Sequence, residues 1–161
     1  MVTQDDLKRY FNYNAKTGVV INKITRGNSK KGELSGAIDN RGYLTVSINS
    51  KMMQIHRLAF LYEKGYLPKY IDHIDGDKLN NKIDNLRECR QQENCYNRKM
   101  SKNNQCGVKG VYWDRGSRSW RAQLSINGKN TYLGCFWEKE LAAQVVSIYR
   151  LKHHGEFANN G

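Results

Sequence analysis

The chain has 161 residues, with 27 lysines and arginines against 15 aspartates and glutamates, a net charge of +12. That length suits one ordinary domain or two small ones, and the charge favours a polyanionic partner, nucleic acid ahead of an acidic membrane surface. Mean hydropathy is -0.80, and no run approaches the roughly 20 apolar residues of a membrane-spanning helix. An aromatic content of 11% supplies packed cores and argues against disorder. The cysteines Cys89, Cys95, Cys106 and Cys135 form no CxxC pair, which argues against a structural zinc site. The first residues lack an apolar secretory core, so reduced thiols and a cytoplasmic location are expected. Residues 1–100 carry +7 and residues 101–161 carry +5, so both halves are candidates for meeting the polyanion.

In chain order, Thr3-Gln4-Asp5-Asp6 has the form of a capping box, and Leu7, Tyr10 and Phe11 share a helical face, predicting a short helix over 4–11. Val19, Val20, Ile21 and Ile24 suggest a strand, and 25–32 a basic loop. The run 43–48 is β-rich, with a turn at 49–51 and a hairpin partner at 52–55. Leu58, Ala59, Leu61 and Tyr62 form the apolar stripe of a helix over 56–64, ended by Gly65 and Pro68. A strand at 70–74, a polar loop, a strand at 86–90 and a helix over 91–100 follow. The polar segment 101–106 reads as a linker. Beyond it, β-like runs at 108–113, 120–126 and 131–136 are separated by turns, including the hairpin pair Asn127-Gly128. The helix expected over 138–154 carries Leu141, Ala142, Val145, Ile148, Tyr149 and Lys152 at helical spacing.

The window 70–97, YIDHIDGDKLNNKIDNLRECRQQENCYN, carries the chemistry. Hydrolysing a phosphodiester requires an attacking water, a base, and a cation that offsets charge on the phosphoryl and leaving oxygens. Histidine supplies a base near neutral pH, while a carboxylate and an amide oxygen suit a hard cation such as Mg²⁺ or Mn²⁺. A strand–loop–strand–helix unit folded on itself offers a way to gather Asp72, His73, Asn85 and Asn94.

The series IDHIDGDKLNNKIDNLRECRQQEN resembles the HNH (ββα-metal) nuclease motif in its homing-endonuclease form, and HRLAFLYEKGYLP is similar to the segment preceding that motif. The resemblance covers about half the chain. It implies that Asp72 and Asn94 are ligands of one divalent ion, Mg²⁺ or Mn²⁺. It implies that His73 is the general base and that Asn85 holds the His73 ring. Asn97 is the alternative to Asn94 should the helix register differ by a turn. His56, beside an apolar stripe, reads as a packed or phosphate-contacting residue, and Arg87 as either a phosphate contact or a solvated arginine.

The second half resembles the ethylene-response-factor (Apetala-two type) DNA-binding domain through KGVYW, WRAQ, YLGCF and HGEFA. That resemblance implies a three-stranded antiparallel sheet packed on one helix and laid in the major groove, which has room for a β-ribbon. Its DNA contacts are expected from Lys109, Tyr112, Arg115, Arg118, Arg121, Gln123, Lys129 and Tyr132, with Val111, Ala122, Leu124, Ile126 and Leu133 facing the helix. The plant domains carry arginines where this chain has Tyr112, Asp114, Ser125 and Asn130, so their sequence preference does not transfer.

Together these readings predict an α+β chain: a ββα-metal nuclease domain with a β-rich N-terminal extension over 1–100, a linker at 101–106 and a DNA-binding domain over 107–161. The expected activity is metal-dependent, site-preferring cleavage of double-stranded DNA by a monomer or weak dimer, without membrane association. The alternatives are a DNA-binding regulator with an inactive nuclease half, and an RNA-binding protein.

Overall fold

The computed structural model describes every residue except Met1, Lys99 and Lys102. The chain is α+β and divides into two compact units, Met1–Cys89 and Arg90–Gly161.

In the first unit, α1 (Gln4–Tyr10) begins at a Thr3 cap whose side chain accepts from Asp6 N, while Asp6 accepts in return from Thr3 N. The helix runs into β1 (Phe11–Tyr13), which pairs antiparallel with β2 (Val20–Asn22). Sequence periodicity did not separate β1 from the helix, because Phe11 serves both: it caps α1 and is fully buried at the start of the strand. A second sheet joins β3 (Ala37–Ile38), β4 (Leu44–Ile48) and β5 (Lys51–Gln54) in that order. α2 (Ile55–Lys64) follows directly and ends at Gly65, which takes the left-handed conformation at φ 77°. Ile55, Leu58, Ala59 and Phe60 of α2 join Leu7, Phe11, Tyr13, Val20, Val46, Ile48, Ile71 and Leu86 in one buried cluster. Removing that much apolar surface from water is the main stabilising contribution to this unit. β6 (Tyr70–His73) and β7 (Leu86–Cys89) form an antiparallel pair, with Asp72 opposite Arg87 and His73 opposite Leu86. Ile71 and Leu86 anchor that pair to the core.

In the second unit, α3 (Gln91–Tyr96) is shorter than the expected 91–100 helix. Lys99, within that expected span, and Lys102, within the expected linker, lie outside the described residues. α3 groups with the second unit because its end is anchored there. The Tyr96 ring stacks on His154 with centroids 3.5 Å apart, and Asn159 Nδ2 donates to the Asn97 carbonyl at 2.8 Å. β8 (Val111–Asp114), β9 (Ser119–Ile126) and β10 (Lys129–Phe136) form an antiparallel sheet with β9 in the middle. α4 (Lys139–His154) packs across it.

The face α4 buries differs from the one its apolar residues suggest. Ala142, Val146, Arg150 and His154 are buried, whereas Leu141, Ile148 and Tyr149 are exposed. The four buried positions recur every four residues and make a single stripe. Small residues admit the sheet at one end, and at the other the polar groups find partners. Arg150 donates to the Lys109 carbonyl at 2.7 Å, and His154 Nε2 lies 2.8 Å from the Ser125 carbonyl. His154 thus meets a strand carbonyl rather than its own helix end.

Candidate active site and nucleic-acid face

The strand β6 carries Asp72 and His73 side by side, and both are about 5% exposed. Alternation along a strand sends neighbours to opposite faces, so the two side chains meet different surroundings. Asp72 faces its cross-strand partner: Arg87 Nε and Nη2 both donate to Asp72 Oδ2, at 3.0 and 2.8 Å. Arg87 is therefore a half-buried partner of the acid, which neither the phosphate-contact nor the solvated reading anticipated.

His73 sits among rings. His56 lies edge-on to it at 5.0 Å between centroids, and Tyr43 at 6.1 Å. His56 is 6% exposed, which settles it as a packed residue. Burial, reinforced by His73, Arg57 and Arg41, pushes its pKa down to about 3. Burial likewise lowers the His73 pKa, although Asn81, Asp75, Asp72 and Asp77 oppose the shift. Both rings are thus held neutral near pH 7.

The loop between β6 and β7 is built on Asp75. Its Oδ1 accepts from Asp77 N at 2.8 Å and Asn85 Nδ2 at 2.9 Å, and its Oδ2 accepts from Asn80 Nδ2 at 2.6 Å. Burial pulls the Asp75 pKa up, but the Asn80, Asp77 and Asn85 hydrogen bonds outweigh it and hold the carboxyl below its ordinary value. Asn85 also accepts from Asp75 N at 3.1 Å and donates to the Asn80 carbonyl at 2.8 Å. Its side chain thus braces the loop. The amide facing His73 is Asn81, with Oδ1 3.4 Å from Nε2. Asn80 and Asn81 stand side by side in the same polar loop. Their separation comes from burial, since Asn81 is 1% exposed.

Asn94 stands half-buried on α3, in the second unit. Asn97, its alternative, closes α3 and is only 6% exposed, with its side-chain oxygen accepting from Asn159 Nδ2 at 3.0 Å. That bond gives Asn97 a structural task. Among the described residues, no group of three or more His, Cys, Asp or Glu side chains is placed to hold a metal ion. A carboxylate and an amide are hard oxygen donors of the kind that suits a Mg²⁺-type ion, which keeps water and substrate as its other ligands.

In the second unit the sheet face away from α4 carries Tyr112, Arg121, Gln123 and Tyr132. Tyr112 stands opposite Arg121, and Tyr132 opposite Gln123. Val111, Ala122 and Leu124 are buried on the other side, as expected, and Leu133 packs beside them. Arg121 lies over the Tyr132 ring at 5.3 Å and donates to Asp114 Oδ2 at 3.0 Å. Arg115 and Arg118 are exposed in the β8–β9 turn, where Asp114 Oδ1 accepts from Gly116 N at 2.9 Å. Lys129 is exposed at the start of β10.

Lys109 departs from the expected DNA contact. Its ammonium donates to the carbonyls of Tyr96, Arg98 and Asn159, which uses all three of its protons. Burial and the neighbouring Arg150 push its pKa down to about 8. It ties α3 and the chain end to the sheet, leaving no donor for a phosphate. Sequence charge alone does not separate such a lysine from a solvated one.

Against known proteins, a family model described as HNH endonuclease matches residues 54–96, the span from the end of β5 through α3. The chain carries an HNH endonuclease domain over those residues. Protein 3.8 of Escherichia phage T7 is 41% identical over 97 residues, covering 59% of this chain and 75% of that protein. HNH endonuclease L560 of Acanthamoeba polyphaga mimivirus is 34% identical over 116 residues, 70% of this chain, which spans 59% of that relative. A solved structure of DNA binding and cleavage by the HNH homing endonuclease I-HmuI aligns with a TM-score of 0.42 at 24% identity, over 90% of this chain and 85% of that one. Among the described residues no helix is long and apolar enough to cross a membrane.

Proposed function

We propose that this chain is a divalent-cation-dependent endonuclease that hydrolyses phosphodiester bonds in double-stranded DNA. In this reading Asp72 and His73 are the centre of the cutting site, and the sheet of the second unit is a DNA-binding face. The observation that carries it is the buried Asp72–His73 pair on β6, inside the segment that matches the HNH endonuclease family.

In this reading His73 is the general base. Burial keeps its ring neutral near physiological pH, so a lone pair is ready to take the proton of the attacking water. Asp72 and Asn94 hold the cation, which when bound offsets the charge that develops on the phosphoryl and leaving oxygens. Arg87 fixes the Asp72 carboxylate from the neighbouring strand. Asn85 serves the site by fixing the Asp75 loop that follows His73. The choice between Mg²⁺ and Mn²⁺ is an expectation from oxygen-donor chemistry.

On the second unit, Tyr112, Arg115, Arg118, Arg121, Gln123, Lys129 and Tyr132 meet the duplex. Lys109 is withdrawn from that set by its three carbonyl bonds. Linking a reader to a cutter raises the local concentration of DNA at the active site. A single site of this kind cuts one strand per binding event, so a monomer nicks. The test is conversion of supercoiled plasmid to open circles with Mg²⁺ or Mn²⁺, with duplex RNA as competitor at fixed salt. Nicking that duplex DNA inhibits and RNA does not supports the reading. No cleavage with any divalent ion favours the binding-only alternative.

A further inference from the structure

We infer that Asn81 is a positioning residue for His73: it holds the ring in the tautomer with the proton on Nε2 and leaves Nδ1 as the basic nitrogen. This rests on the proposed role of His73 as general base. The Asn81 amide has one orientation available. Its Nδ2 donates to the Leu79 carbonyl at 3.0 Å, so Oδ1 is the atom turned to His73 Nε2, 3.4 Å away. An amide oxygen only accepts, so a hydrogen bond there requires the proton on Nε2. A neutral imidazole carries one proton, and its other nitrogen then holds the lone pair.

The surroundings fix Asn81 more firmly than an ordinary loop residue. Its side chain is 1% exposed. Its carbonyl accepts from the buried Tyr13 hydroxyl at 2.7 Å. Gly18 closes the other side: with φ at +74°, a Cβ built there stands 2.6 Å from the Asn81 carbonyl carbon. Tyr13 of β1 and Gly18 of the turn after it therefore hold the backbone of a residue whose buried side-chain oxygen meets the catalytic candidate. A turn former needs neither the burial nor those supports, and Asn80, which has no such burial, shows the ordinary pattern in the same loop.

The test uses the full chain with ¹⁵N-labelled histidine. Long-range ¹H–¹⁵N spectra at pH 7.5, with His73 assigned by loss of its signal in His73→Gln, report the tautomer directly. The inference expects a protonated Nε2 in the wild type, and mixed tautomers in Asn81→Leu. Single-turnover nicking by Asn81→Leu should fall at least about tenfold while DNA affinity stays within about twofold. Tyr13→Phe, which keeps the packed ring, should give a smaller loss of the same kind. A wild-type ring protonated on Nδ1 overturns the inference without any variant, so a failure of Asn81→Leu to fold leaves it testable. Wild-type nicking rates in Asn81→Leu also overturn it, provided His73→Gln is inactive. If His73→Gln itself cuts normally, the base assignment has failed, and the tautomer spectrum still decides whether Asn81 sets the ring.

Discussion

Replacing Gly18 by alanine should strain the first unit at the point that supports Asn81. At φ +74° a non-glycine residue costs about 1–2 kcal/mol. The new methyl would also stand 2.6 Å from the Asn81 carbonyl carbon and 2.7 Å from the Lys82 nitrogen. These are backbone atoms that cannot swing aside, and overpacking of that kind adds about 1–3 kcal/mol. Reduced freedom of the unfolded chain returns roughly 0.4–1 kcal/mol. The net loss is about 1–5 kcal/mol, a large share of the 5–15 kcal/mol that typically holds a domain together. Gly27 supplies the control: its φ is +54°, and nothing lies within 4 Å of a built Cβ, so Gly27→Ala carries the conformational cost alone. The assay is urea unfolding followed by far-UV circular dichroism, with indole emission recorded in parallel. All three tryptophans, Trp113, Trp120 and Trp137, lie in the second unit, so emission separates its unfolding from that of the first. Gly18→Ala no more destabilising than Gly27→Ala would refute the close-approach argument.

Three further outcomes follow from the geometry. Arg87→Ala strands the Asp72 carboxylate, whose side chain is 6% exposed, and should cost about 3–5 kcal/mol in thermal unfolding; a loss under about 1 kcal/mol would contradict the buried pair. His56 holds its pKa near 3 when folded against an ordinary value of 6.5. Between those values the unfolded chain binds the extra proton, so stability falls as pH drops from 6.5 toward 3, by a few kcal/mol in all. His56→Leu should flatten that slope in urea midpoints measured from pH 7 to pH 4.5, and parallel slopes would count against it. On the second unit, the paired change Arg121→Ala and Tyr132→Ala should weaken duplex binding about tenfold and lower the log–log salt slope by about 0.9. Unchanged affinity and slope would place the DNA-binding surface elsewhere.

Most elements of this fold are legible in the sequence because local signals and burial agree. The Thr3 capping box, the Gly65 stop and the Asn127-Gly128 hairpin each act within a few residues. β1 and the two-residue β3 escaped that reading, since strands of three and two residues have no measurable alternation and depend on their partners. The buried face of α4 escaped for another reason. Its outward Leu141, Ile148 and Leu151 are the more apolar residues, and only the tertiary partners of Arg150 and His154 explain why the polar pair lies inside.

At the site, Asp72 and His73 stood out because a carboxylate beside an imidazole, in a spaced polar series, has a chemical purpose. Asn81 and Arg87 did not. Their roles follow from register and burial: Arg87 lies opposite Asp72 only because β6 and β7 pair as they do. Lys109 illustrates the converse. It carries the right charge in the right segment, yet its protons go to three carbonyls brought together by the fold.

Whether a neutral buried His73 is the base of a cation-dependent nuclease is decided by nicking of supercoiled plasmid under single-turnover conditions. Wild-type protein and His73→Ala are compared with Mg²⁺, with Mn²⁺ and with excess chelator. The wild type should give open circles with a divalent ion and none with chelator, and His73→Ala a rate at least about 100-fold lower with DNA binding retained. Cleavage by His73→Ala at the wild-type rate would contradict that role for His73.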